Sequence, residues 1–415
     1  MKDHSKNWLM ACLLFTAVSA CNNQSTPAQQ DAATSQKDSL AKGSYGYDLG
    51  FLKKHTEGIV ELSDGMGAKI LLSADYQGRV MTSTSAGDSG ISYGWLNYDL
   101  ISAPVKRKQF NPVGGEERFW IGPEGGQFAF YFPPRDSFSI ASWQVPALVD
   151  TISYHVAQPD PAHAVFSQSG QLTNYSGSIF NIQIDREIAL LPKATLEEEL
   201  KISIPQGVSS VGYRTSNSVT NTGKNDWKKS TGLLSVWLLG MFTPTPQTVV
   251  IIPFHPQANA RSLITDNYFG TVAPQRLQVK DSVLYFTCDG LSRGKIGLSP
   301  LIAKPVAAGF DFKNNVLTLV IPTIDRQGMY VNSKWEKQKE PYKGDVINAY
   351  NDGPLADGSQ LGPFFEIESS SSVKEMKSGD ALHYSQVTCH LQGDYSALRA
   401  IAQQLLHVDL DEIKR

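Results

Sequence analysis

Glu366 and Glu368, in the run Phe364-Phe365-Glu366-Ile367-Glu368, are the residues best spaced to do chemistry. In an extended segment, side chains at i and i+2 share a face, which sets the two carboxyl groups roughly 6–7 Å apart. Like charges that close raise the proton affinity of one member, which suits acid–base work. Phe364 falls on the same face and turns the reading toward a ligand-facing surface. The competing reading is a solvent-washed sheet face, where glutamates are ordinary. A second dense segment runs from Gly114 to Gln127. There Arg118 offers a fork for hydroxyls or a carboxylate, Trp120 a flat apolar face and Glu124 a further carboxyl, while the glycines would let backbone approach a ligand. The competing reading is a structural corner, with Trp120 in the core and Arg118 paired to Glu124. The glycines do not follow a strand and open a helix, so this is no phosphate loop. His255, at a strand end beside Pro256, reads as a loop residue and Trp237 as core. No nucleophile elbow and no metal-ligand spacing is present, and no cofactor is expected.

The elements that must position these groups are strands. Phe180, Ile182 and Ile184 alternate with polar residues, as do Leu200, Ile202 and Ile204, giving one apolar face at period two. Further candidate strands are 58–62, 69–73, 78–84, 127–132, 210–220, 233–241, 248–254, 282–288, 316–321, 362–369 and 383–391. They are separated by turns such as Asn221-Thr222-Gly223, Asp289-Gly290 and Asp352-Gly353. Tyr45, Leu49 and Leu52 recur at helical spacing. So do Leu398, Ile401 and Leu405 at the other end, behind Asp394 as N-cap. Many strands without alternating helices predict an all-β, antiparallel β-sandwich over 45–415 with a short C-terminal helix. No internal repeat suggests a propeller.

The first residues address a compartment. Lys2 and Lys6 precede a short apolar run from Trp8 to Phe15, then Val18-Ser19-Ala20-Cys21. This pattern predicts a secretory signal peptide over 1–20, too short for a membrane span of roughly 20 apolar residues. The small residues before Cys21 resemble a lipobox, which implies acylation of Cys21 and a lipid anchor in the cell envelope, on the periplasmic or surface side of the outer membrane. Residues 22–44 are polar and small, and read as a tether. The chain of 415 residues carries a net charge of −3; the leader contributes +1, leaving −4. That excludes nucleic acid as a partner and any polybasic attraction to lipid. Cys288 and Cys389 remain for a disulfide or for two buried thiols. A monomer is expected.

With these segments in hand, the chain resembles the galactose-mutarotase-like superfamily, the large β-sandwich of aldose 1-epimerases. Tyr76-Gln77-Gly78-Arg79-Val80 looks like its early Gly-Gly-Arg turn, and Gly115 through Glu124 its Gly-Gly-x-Arg-x-Trp-x-x-Pro-Glu segment. Arg186 sits in a familiar central strand, and Glu366-Ile367-Glu368 falls where the family places its general-base glutamate. Over 45–405 the chain is also similar to a family of envelope lipoproteins common in Bacteroidetes-type organisms. The resemblance implies a sandwich with a sugar-type cleft touched by Arg79, Arg118, Trp120, Glu124 and Phe364, with Glu366 and Glu368 as catalytic candidates. It departs at Gly240-Met241-Phe242, where active mutarotases carry the histidine that protonates the ring oxygen. Carbohydrate binding is therefore expected ahead of epimerisation, with Glu368→Gln lowering affinity but not stability. The alternatives are a glycoside hydrolase using Glu366 and Glu368, and a non-catalytic structural lipoprotein.

Overall fold

The computed structural model describes residues 40–157 and 160–414. Three antiparallel sheets carry nearly all regular structure. The largest has ten strands in the spatial order Leu277–Lys280, Val283–Thr287, Thr248–Pro253, Ala307–Asp311, Val316–Pro322, Ala381–Gly393, Val208–Asn221, Ile179–Leu190, His163–Thr173 and His155–Ala157. The second has six, in the order Ile264–Thr265, Gly294–Leu298, Ile347–Asn351, Phe365–Ser370, Ser235–Phe242 and Arg118–Gly122. A small sheet of Ile59–Ser63, Lys69–Ser73 and Arg79–Thr84 completes the set.

Alternation along the strands stacks these sheets. Phe365 and Ile367, with Ile296, Ile347 and Ala349, face Val250, Ile252, Phe286 and Val320 of the ten-stranded sheet and form one core between the two. The opposite face of the ten-stranded sheet, with Ile251, Leu317, Leu319 and Cys389, is covered by the helices Lys193–Leu200 and Tyr395–Leu406. Asp394 caps the second helix by accepting from Ser396 N and Ala397 N, as its position predicts. The other face of the six-stranded sheet, which carries Glu366 and Glu368, is covered by irregular segments rather than by a sheet or helix layer.

Two expected strands are not strands. Residues 127–132 are irregular; Phe130, Tyr131 and Phe132 are buried, but they fill the core between prolines and glycines without joining a ladder. The alternation of Leu200, Ile202 and Ile204 is a helix end followed by an irregular segment. Lys201 takes a left-handed conformation (φ 55°) that stops the helix, and the two isoleucines pack over the ten-stranded sheet. Conversely, Arg118–Gly122 is a strand, and so is the short, glycine-bearing Gly294–Leu298. Cys288 and Cys389 are buried free thiols, and burial pushes the Cys389 thiol up to about 12. Among the described residues no helix is long and apolar enough to cross a membrane.

Candidate functional site

Register on the six-stranded sheet decides which side chains meet. Glu366 lies between Met241 and Tyr350 on its neighbouring strands, and Glu368 between Leu239 and Asn348. One strand further out, Arg118 is opposite Leu239 and Trp120 opposite Trp237; on the other side Lys295 is opposite Tyr350. Period-two alternation therefore sets Arg118, Trp120, Trp237, Met241, Lys295, Tyr350, Glu366 and Glu368 on a single face. Above this face the chain encloses a cleft of about 630 Å³, whose lining includes Phe110, Trp143, Phe269, Arg293, Trp335 and Phe364.

Two ion pairs occupy the floor. Arg118 donates to Glu366, with both side chains less than a tenth exposed. Lys295 Nζ and Trp237 Nε1 both donate to Glu368 Oε2, each at 2.9 Å. Glu368 Oε1 is left buried without a partner. Glu366 lines the cleft, whereas Glu368 is fully buried just beneath it, under Lys295 and Trp237. The washed-face reading is thereby excluded.

The electrostatics follow from burial. Desolvation pushes the Glu366 carboxyl up to about 8 against the pull of Arg118, and the neighbouring Glu368 adds to the rise. A carboxyl raised to that range titrates close to neutral pH, so it can exchange a proton with an oxygen placed in the cleft while its charged form pairs with Arg118. Burial disfavours the Lys295 charge, but Glu368 and Glu124 outweigh it and hold the ammonium above its ordinary range. Burial also raises Glu124, opposed by Lys295. Trp143 and Trp335 turn their indole N–H groups toward Glu124 and lower its proton affinity without closing a full hydrogen bond.

The walls are aromatic. Trp120 meets Trp237 edge-on at 5.4 Å, and Trp143 stacks on Trp335 at 6.0 Å. The Arg118 guanidinium lies 4.7 Å from the Trp120 ring, and Lys295 Nζ 4.9 Å from the Trp237 ring. Phe364 closes the floor in a buried cluster with Trp95, Met241 and Tyr350.

Of the residues singled out from sequence, Arg118, Trp120, Glu124, Phe364 and Glu366 line the cleft, with Glu368 directly below. Trp120 is at once core and wall, and Arg118 pairs with Glu366 rather than with Glu124. Arg79 is corrected: it is buried outside the lining, donating to Gly114 O at 2.9 Å, and burial lowers it to about 9. The glycines at 114 and 125 serve chain packing, since a Cβ there would stand 1.9 Å from Trp95 O and 2.3 Å from Lys334 O. At the histidine position of the resemblance, a side chain on Gly240 would strike Glu116 O, and Met241 sits beside Glu366. His255 lies at the end of a strand of the other sheet, and no histidine lines the cleft among the described residues. The expectation that Glu368→Gln spares stability is also corrected, because it would strip a buried ammonium of its counter-charge. Sequence reading missed Lys295, Arg293, Trp143 and Trp335. A lone lysine in the short run Gly294-Lys295-Ile296 was the available signal. Cys21 and the leader lie outside the described residues.

The fold is that of the galactose-mutarotase-like sandwiches. It matches an Escherichia coli K12 protein assigned as an aldose 1-epimerase with a TM-score of 0.50 at 11% identity, over 81% of this chain and 99% of that one. A Synechocystis sp. PCC 6803 protein matches with a TM-score of 0.49 at 12% identity, over 81% and 96% of the two chains. A galactose mutarotase-like protein from Lactobacillus casei ATCC 334 matches with 0.46 at 10%, over 81% and 100%. Identities this low establish a shared fold and nothing finer. No curated protein matches in sequence. By the family model that matches residues 43–415, the chain belongs to DUF6786, a family of unknown function.

Proposed function

We propose that the protein binds a carbohydrate in this cleft, as a lipid-anchored protein of the cell envelope. What carries the reading is an ion pair, Arg118–Glu366, reachable only through a cleft walled by Trp120, Trp143 and Trp335. Sugars offer apolar ring faces and many hydroxyls, and indole walls over paired charges answer both. Glu124 and Phe364 extend the polar and apolar contacts.

A second reading, slow epimerisation, is favoured by one observation: burial sets Glu366 up to about 8, so a proton is available at the ring or anomeric oxygen. Glycoside hydrolysis is less well served. Glu366 and Glu368 rise from one strand, whereas the reaction needs carboxylates flanking the bond. One-dimensional proton NMR of the protein with freshly dissolved sugars separates the readings. Line broadening alone supports binding, and faster anomeric equilibration than a protein-free blank supports an epimerase. Neither effect across a broad panel overturns the carbohydrate reading. The anchor is tested separately: Cys21→Ser should move the protein from the membrane fraction to the soluble one.

A further inference from the structure

We infer that the sugar taken by this cleft is acidic, bearing a carboxylate or a sulfate ester; this rests on the carbohydrate reading above. The ground is an imbalance between donors and acceptors. Among the described residues, Nε of Arg118 and Arg293 and Nε1 of Trp120 are buried on the lining without a hydrogen-bond partner, and Nε1 of Trp143 and Trp335 face Glu124 without closing a full bond. All five are N–H donors. Among the described residues, the one buried acceptor of the site left without a partner, Glu368 Oε1, lies beneath the lining. A neutral sugar brings hydroxyls that donate as readily as they accept. A carboxylate or sulfate brings acceptors alone, which matches the lining.

Charge points to the same group. The inner cations Arg118 and Lys295 each already face a glutamate. Arg293 also lines the cleft, next along the chain's face from Lys295, yet among the described residues no carboxylate pairs with it. Its guanidinium instead rests 4.3 Å from the Phe269 ring, and Phe269 meets Trp335 edge-on at 6.3 Å. Arg293 and the Trp335 ring, joined through Phe269, thus flank one corner of the cleft. Arg107 and Lys108 stand exposed at the rim, also without ion-pair partners among the described residues. An anionic substituent at that corner would take the planar fork of Arg293.

The test is a titration of the full chain, followed by tryptophan fluorescence and calorimetry. The probes are glucose, galactose and mannose, their uronic acids, the methyl esters of those acids and the 6-sulfates. At least one uronate or sulfate should bind about ten-fold or more tighter than its neutral counterpart, with the preference shrinking as salt rises. Esterification should remove a uronate's advantage, and the uronate and sulfate series tell the two anions apart. Arg293→Gln should reduce the acidic sugar to the affinity of the neutral one, while Arg293→Lys retains part of the preference. Neutral sugars binding as tightly as the acidic ones would overturn this inference and leave the carbohydrate reading standing. No binding by any probe would overturn both.

Discussion

Glu117 and Arg118 are neighbours in the chain, yet each belongs to a different network, one on either side of the six-stranded sheet. Glu117 points inward. Its Oε1 accepts from Arg186 at 2.8 Å and its Oε2 from Thr215 and Gln386, at 3.0 and 3.1 Å. Glu116 beside it is bound by Ser83, by Tyr213 and by His390 Nε2 at 3.1 Å, while His390 Nδ1 meets Thr318 Oγ1 at 2.9 Å. Both inner carboxylates are saturated by protein partners and fully sealed from water. Arg118 points outward to Glu366, and the outer network ends on an orphan Glu368 Oε1 and a row of unpartnered donors. The same chemistry of buried charge is thus used twice. Sealed and satisfied on the carboxylate side, it locks two sheets together; left partly unsatisfied beside a cavity, it awaits a ligand.

The sharpest way to break that contrast is to cut the inner network. Arg186→Met leaves the Glu117 carboxylate buried without its cation and should cost about 3–5 kcal/mol in urea unfolding. Ligand binding by the folded fraction should be unchanged. A cost near zero would mean that the sealed network is not structural.

Glu368→Gln tests the outer network and should cost less, about 1–3 kcal/mol, because the amide oxygen can still accept from Lys295 and Trp237. It should also remove ligand binding. Pairing Lys295→Met with Glu368→Leu should restore much of the stability without restoring binding, since apolar replacement of a buried ion pair is often neutral. If the single variant binds as well as the parent, the floor of the cleft is no more functional than the inner network.

The sandwich was legible from sequence because one core face per strand leaves a period-two trace, as at Phe180, Ile182 and Ile184. Where that trace failed, another force had acted. Leu200, Ile202 and Ile204 alternate because a helix end and a buried loop cover one sheet, and Phe130 to Phe132 are apolar because they plug a core. Glu366, Glu368 and Arg118 were legible as chemistry because charges rarely sit among large apolar residues without partners. Lys295, Arg293, Trp143 and Trp335 were not, since they reach the cleft from a glycine-rich strand, its preceding loop and two long irregular segments. No local spacing connects residues that meet only through strand order. Arg79 shows the converse: a motif-like arginine whose guanidinium supports Gly114 O and never reaches the cleft.

A milder perturbation reads the protonation of the outer pair. Glu366 is pushed up to about 8 in the folded protein, while an unfolded glutamate titrates near 4.3. Between those values the folded state holds a proton that the unfolded state has lost, so this group's contribution to stability falls as pH rises from about 4.3 toward 8. Below that window both states are protonated and the contribution no longer changes. Glu366→Gln should flatten that part of the decline in melting temperature between pH 5 and 8, with little change at pH 5. An unchanged slope would place the Glu366 pKa near its ordinary value and remove the proton that the epimerase reading needs.

The smallest expected effect belongs to Trp335, and it is the most selective. The residue is half-buried in an irregular segment, stacked on Trp143 with planes 23° apart and set edge-on to Phe132 at 5.1 Å. No sheet ladder depends on it, so Trp335→Phe keeps most of the aromatic contact and should cost under about 1 kcal/mol of stability. What it removes is one of the two indole N–H groups that face Glu124. A neutral sugar stacking on the wall should then bind within about two-fold of the parent. An acidic one should weaken by about five-fold, because the Glu124 carboxyl beside it loses a donor that offsets its charge. Equal weakening of both would assign Trp335 to stacking alone.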